Sequence, residues 1–177
     1  MIVVSDTTPL NYLILIGEQE VLARLFGQVI IPPAVLEEMR REKAPEPVRA
    51  WAKNLPDWVT VRAPVQILPG LTAKLHEGEI HAISLAAELN AATGPRLDWI
   101  LIDDWDARKA ARALKFPLLG TINILEEAAV RGFLDIQEAA TRLRSTNYRA
   151  TADQYQAAID NVQSRRAEQE QATEMRP

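Results

Sequence analysis

Three times along the chain a short, mostly apolar run ends abruptly and passes straight into a helical pattern. Residues 1–4 lead to Asp6-Thr7-Thr8-Pro9, residues 28–31 to Pro32-Pro33, and residues 99–102 to Asp103-Asp104. Short, β-branched-rich runs without polar alternation read as strands buried on both faces. After the first, Leu10, Leu13 and Ile14 give the apolar face of a helix expected to start at Pro9 and to break at Gly17. Val21, Leu22, Leu25 and Phe26 repeat that spacing before Gly27. The second run feeds a helix over 34–43, with Pro33 suited to its first turn. The third feeds a helix carrying Ala107, Ala110, Ala111 and Leu114, then a short strand at 117–119 and a helix opening at Gly120-Thr121. Strands that alternate with helices require right-handed crossovers. The expected fold class is therefore α/β, with a central, mainly parallel sheet between helical layers.

The intervening segments fit the same scheme. Val48, Trp51 and Leu55 mark a short amphipathic piece among prolines, residues 58–62 alternate as a strand, and 64–70 form a loop. Ile80, Ile83, Ala87 and Leu89 mark a longer helix from Gly78 that ends before a Thr93-Gly94-Pro95 turn. One more helix is expected over 152–162, whereas 164–177, with almost no large apolar side chains, is expected to fray. The expected division is one domain over 1–148, followed by a C-terminal helix and polar tail over 149–177.

Composition excludes several functions. No cysteine is present, so disulfides, thiolate metal sites and cysteine nucleophiles are absent. His76 and His81 are five residues apart, a spacing that does not stack two imidazoles on one helix face for zinc. The glycines form neither a phosphate-binding loop nor a dinucleotide fingerprint. A net charge of −4 argues against a nucleic-acid grip by bulk electrostatics. Asp6 stands where a secretory leader would carry its apolar run, and no apolar stretch is long enough to span a bilayer, so a cytoplasmic protein with no membrane partner is expected.

The acids carry the chemistry. Asp6, Asp103 and Asp104 directly follow expected core strands, where a parallel sheet opens the crevice used by ligands. Each also suits a helix N-cap, which needs no function. Glu38 shares a helix face with Ala34 and Val35, whereas Glu37 points about 100° away. Glu79 stands at the head of its helix, where an acid is favoured by the dipole in any case. Two unit charges about 4 Å apart repel by about 4 kcal/mol at an effective dielectric near 20, so several carboxylates meeting at one sheet edge need counter-charge. A hard, oxygen-seeking ion, Mg²⁺ or Mn²⁺, supplies it and suits phosphodiester hydrolysis. Trp51, Trp58 and Trp99 read as packing residues, while Trp105 follows the acid pair and is placed to stack on a base.

Five segments together resemble PIN-domain nucleases: Val-Val-Ser-Asp-Thr-Thr-Pro-Leu at 3–10, Ile-Pro-Pro-Ala-Val-Leu-Glu-Glu at 31–38, Gly-Glu-Ile-His-Ala-Ile-Ser-Leu-Ala at 78–86, Ile-Asp-Asp-Trp-Asp-Ala-Arg at 102–108 and Leu-Leu-Gly-Thr at 118–121. The resemblance extends over about residues 2–145 and is nearest to the branch related to toxins of prokaryotic toxin-antitoxin pairs. It implies a PIN-like three-layer α/β/α fold and a metal-dependent endoribonuclease acting through a metal-activated water. Asp6, Glu38 and Glu79 match the first three acids of the site and the Asp103-Asp104 pair the fourth, with either member as the metal ligand. Asp6, Glu79 and that pair would hold the metal. Other branches commonly carry Asp where Glu79 stands, which leaves one ion or two open. Thr7, Thr8 and Thr121 match supporting hydroxyls. Arg40, Arg41, Lys43, Arg108, Lys109 and Arg112 lie on the two helices nearest the acids, placed to track RNA phosphates or simply to solvate those faces. The implied partners are RNA, an antitoxin protein and a second copy of the chain. Two other readings remain: a non-catalytic module binding RNA or protein, and a phosphatase with Asp6 as nucleophile, which lacks its usual partner acid because Thr8 stands there.

Overall fold

A computed structural model describes residues 1–71, 74–92 and 97–174, so the turn expected at Thr93-Gly94-Pro95 lies outside the described residues. The chain divides into two compact units, Met1–Thr121 and Ile122–Pro177. The first holds the strands β1 (Val3–Ser5), β2 (Val29–Ile31), β3 (Val59–Val61), β4 (Trp99–Leu101) and β5 (Leu118–Leu119). Its helices are α1 (Thr7–Leu15), α2 (Val21–Phe26), α3 (Pro33–Arg40), α4 (Glu46–Lys53), α5 (Glu77–Ala91) and α6 (Trp105–Ala113).

The strands form one sheet in the order β3-β2-β1-β4-β5, and every pairing is parallel. Val4 stands opposite both Ile30 and Ile100, and Ser5 opposite Leu101, which sets the C-terminal ends of β1 and β4 side by side. The chain winds outward from β1 to β3 and then returns to wind the other way through β4 and β5. The order therefore reverses between β1 and β4, and a reversal of this kind opens a crevice at the strands' carboxyl ends. Asp6 follows one of these strands and Asp103-Asp104 closely follow the other.

Val4, Ile100 and Ile102 pack with Ala82, Ile83, Leu85 and Ala86 of α5 and with Ala107 and Ala111 of α6. The alternate residues Val3 and Leu101 are equally buried, so both faces of the sheet are covered, as three-layer α/β/α architecture requires. Trp51 and Trp58 pack on one another, their ring centres 5.9 Å apart.

Several boundaries differ from the sequence expectation. Helix α1 starts at Thr7 rather than Pro9, because Asp6 accepts the Thr8 N–H and caps it, leaving Pro9 in the first turn where its missing N–H costs nothing. Helix α3 ends at Arg40, not at residue 43. There the chain bends back so that α4 packs on α3, and Arg40 Nε donates to the Ala52 carbonyl at 2.9 Å.

The second unit contains most of α7 (Thr121–Val130), together with α8 (Ile136–Arg144) and α9 (Ala152–Glu174). Periodicity could have located α8, since Ile136, Ala139, Ala140 and Leu143 are buried at helical spacing and Asp135 caps the helix. The fraying expected from residue 164 is corrected: α9 runs on to Glu174. Arg165 Nη2 lies 2.9 Å from Glu127 Oε2, and the Arg166 guanidinium donates to the Ala129 carbonyl. Long basic side chains anchor the part of the helix beyond residue 164, which lacks large apolar ones. Among the described residues no helix is long and apolar enough to cross a membrane.

Ile100 is fully buried in β4, whereas Val65 is 86% exposed. Ile100→Ala is expected to lower stability by about 2–5 kcal/mol and Val65→Ala by less than about 0.5 kcal/mol, measured by urea unfolding.

Candidate functional site

The crevice between β1 and β4 begins with Asp6. Its N–H donates to the Leu101 carbonyl at 3.0 Å, which ties the end of β1 to the neighbouring strand. Only 1% of Asp6 is exposed, and its Oδ1 is buried with no hydrogen-bond partner among the described residues. Burial, opposed by the backbone N–H groups of Thr7 and Thr8 and reinforced by the charges of Glu79 and Glu38, raises its pKa from 3.8 to about 7.

Glu79 is the second buried acid, 4% exposed in the first turn of α5. Its Oε2 accepts the His76 N–H at 2.8 Å. Burial again raises its pKa to about 7, against the pull of that hydrogen bond, with the charges of Asp104, Glu38 and Asp106 adding to the rise. Each of these acids thus disfavours the charged form of another.

Glu38 is placed differently. Its two carboxylate oxygens accept the Thr7 hydroxyl at 2.6 Å and the Gly78 N–H at 3.0 Å, which links α1, α3 and the head of α5. A Cβ at Gly78 would stand 2.8 Å from Glu38 Oε2, so any larger residue there would displace the Glu38 carboxylate. Glu37, its neighbour, is exposed, in agreement with the face assigned to Glu38.

The adjacent aspartates divide their tasks. Asp103 accepts the Thr121 N–H at 2.9 Å and the Thr121 hydroxyl at 2.6 Å, so β4 is stitched to the start of α7. Asp104 caps α6 by accepting the Ala107 N–H at 2.9 Å and is exposed, within the electrostatic reach of Glu79. Asp106, in the first turn of α6, acts on Glu79 as well. Sequence reasoning did not select it; the Asp-Trp-Asp spacing at a helix head was the available signal.

Among the described residues no three side chains of acid or histidine type are drawn together closely enough to bind a metal ion. The donor set fits a cation nonetheless. It is all oxygen, two of its members are buried against mutual repulsion, and one buried oxygen has no partner. Asp6, Glu79 and Asp104 are the acids that could hold a hard dication, whereas the recorded hydrogen bonds of Glu38 and Asp103 hold neighbouring elements in place.

The basic residues are unequal. Arg40 and Arg108 donate to the backbone carbonyls of Ala52 and Ile102, at 2.9 and 2.7 Å. Lys109 lies 3.7 Å from Asp106, and the Arg112 guanidinium lies 5.9 Å from the ring centre of Trp105, which is 66% exposed. Arg41 makes only a loose 3.8 Å pair with Glu77. Thr8 reaches Asp6 through its backbone N–H, 3.4 Å from Oδ2.

The family model DUF3368, described as a PIN domain, matches residues 2–164. No curated protein and no solved structure matches the chain.

Two consequences can be measured. An acid whose pKa is raised in the folded state keeps a proton that the unfolded chain releases from about pH 4 upward, so folding stability falls as pH rises toward about 7 and the penalty is complete above it. Metal-free protein should therefore melt higher at pH 5 than at pH 8 insofar as Asp6 and Glu79 govern the difference. Asp6→Asn should raise Tm at pH 8 and change it little at pH 5. Gly78→Ala should lower stability by about 1–3 kcal/mol in urea unfolding, because expelling the Glu38 carboxylate from its hydrogen bonds outweighs the roughly 1 kcal/mol of helix propensity gained.

Proposed function

The chain belongs to the PIN-domain family, and on that premise we propose that it is a metal-dependent endoribonuclease that hydrolyses the phosphodiester bonds of single-stranded RNA. The observation that carries the reading is Asp6: a buried carboxylate with an unpartnered oxygen, at the reversal of the strand order, in the field of Glu79 and Glu38. Asp6, Glu79 and Asp104 would hold Mg²⁺ or Mn²⁺. When bound, such an ion lowers the pKa of a water and clamps phosphoryl oxygens, which is the chemistry that phosphodiester hydrolysis needs.

The chain's own residues prepare the place. Thr7 and Gly78 fix Glu38, which keeps α3 beside the head of α5 and so sets the position of Glu79. Thr121 fixes Asp103, which sets the backbone from which Asp104 projects. Trp105, exposed beside Asp104, offers a face on which a base can stack. In the cell, the reading extends to a cytoplasmic toxin, active as a homodimer and restrained by an antitoxin that covers the acidic crevice.

One observation favours a second reading. No three ligating side chains converge among the described residues, which suits a non-catalytic module that binds RNA or protein. Calorimetry with Mn²⁺ separates the two, since a module should take up no ion at millimolar concentration.

Purified protein is expected to cleave single-stranded RNA with Mn²⁺ or Mg²⁺ and to stop when the ion is chelated. Asp6→Asn should keep the fold by circular dichroism yet lower kcat by more than about 100-fold. Thr121→Val, which removes an outer support, should cost about 10- to 100-fold. Equal cleavage by Asp6→Asn and the native chain would refute the site.

A further inference from the structure

Next to the acids, on the side of α1, α3 and α4, a cleft of about 310 Å³ is bounded by Thr7 and Glu38, which it shares with the candidate site, and by Asn11, Arg41, Lys43 and His76. That volume lies at the lower end of the roughly 300–1,000 Å³ range of small-molecule sites. Its character differs from that of the neighbouring acids. Glu38 is its one lining carboxylate, and both oxygens of that group accept bonds from Thr7 and Gly78. The remaining charged groups are Arg41 and Lys43, both exposed, in a chain whose net charge is −4. Arg41 pairs with Glu77 at 3.8 Å with both side chains more than half exposed, a pairing that a phosphate can readily displace. Ala44 and Pro45, both half-buried, contribute an apolar floor backed by the buried Met39 and Val48, and the Asn11 amide adds a donor and an acceptor.

Cations at the rim, an apolar floor and an amide suit a base or ribose joined to a phosphate. We propose that this cleft is a nucleotide subsite, which seats one phosphate-bearing nucleotide of the RNA strand beside the acids, with its phosphate toward Arg41 and Lys43. The assignment rests on the nuclease reading for its substrate, but the binding step is independent of cleavage. Arg41 and Lys43 are then positioning residues for the strand.

The test uses the full chain without metal. Adenosine 5′-monophosphate, adenosine and inorganic phosphate are titrated separately and followed by calorimetry and by amide chemical shifts. The monophosphate should bind at least about tenfold more tightly than either fragment, shift the amides of Asn11, Lys43 and His76, and weaken with added salt. Arg41→Ala combined with Lys43→Ala should weaken it at least about tenfold without changing Tm, and should raise KM for RNA more than it lowers kcat. Asp6→Asn should bind the monophosphate undiminished. Binding no tighter than that of phosphate, or undiminished binding by the double variant, would overturn the subsite. A protein that binds the monophosphate but does not cleave RNA would keep the subsite and defeat the nuclease reading. Cleavage with a KM indifferent to the double variant would do the reverse.

Discussion

Carboxylates resist being buried near one another, and that resistance organises the first unit of this protein. Asp6 and Glu79 are withdrawn from water, and each raises the pKa of the other or is raised by a shared neighbour. Desolvation and like charge act in the same direction, so near neutral pH the folded chain works against their ionisation. A position of this kind persists only where surrounding packing over-determines it. Here the backbone of Asp6 is tied to β4, and the head of α5, which carries Glu79, is held through Gly78 and Glu38.

Two other acids tie elements together, and one of them, Glu38, also adds to that repulsion. Glu38 and Asp103 each receive two hydrogen bonds, one from a threonine hydroxyl and one from a backbone N–H. Charge-assisted bonds of this type fix the direction of a carboxylate. The result is a division between acids that are poorly satisfied and acids that hold the scaffold, although all stand in similar sequence surroundings. The basic residues divide in the same manner. Arg40 and Arg108 brace backbone carbonyls, while Arg41 and Lys43 border an open cleft. Net charge therefore says little about the local field, which is set by which cations are already engaged.

Sheet topology gives these local devices a common address. A parallel order that reverses between β1 and β4 leaves the carboxyl ends of adjacent strands without a connection crossing over them. Residues almost a hundred positions apart, Ser5 and Leu101, become register partners there, and Asp6 and the Asp103-Asp104 pair follow them at the same edge of the sheet. The central strands β1 and β4 have little room for slippage because both of their faces are buried, and a shift of one residue would reverse every side chain.

From sequence alone, the α/β class, all five strands and the choice of Glu38 over Glu37 were legible, because apolar runs, proline positions and helical phase are local signals. The same signals placed Asp6, Asp103 and Asp104 at strand ends. They also misjudged the last turns of α9, which Arg165 and Arg166 anchor, and passed over α8, half of whose buried face is alanine. Only the tertiary structure decided which acids are buried and which are bonded. Whether a carboxylate such as Glu38 meets a threonine hydroxyl thirty-one residues away, or one such as Asp6 keeps a buried oxygen without a partner, depends on how separate elements pack, and no local pattern encodes that.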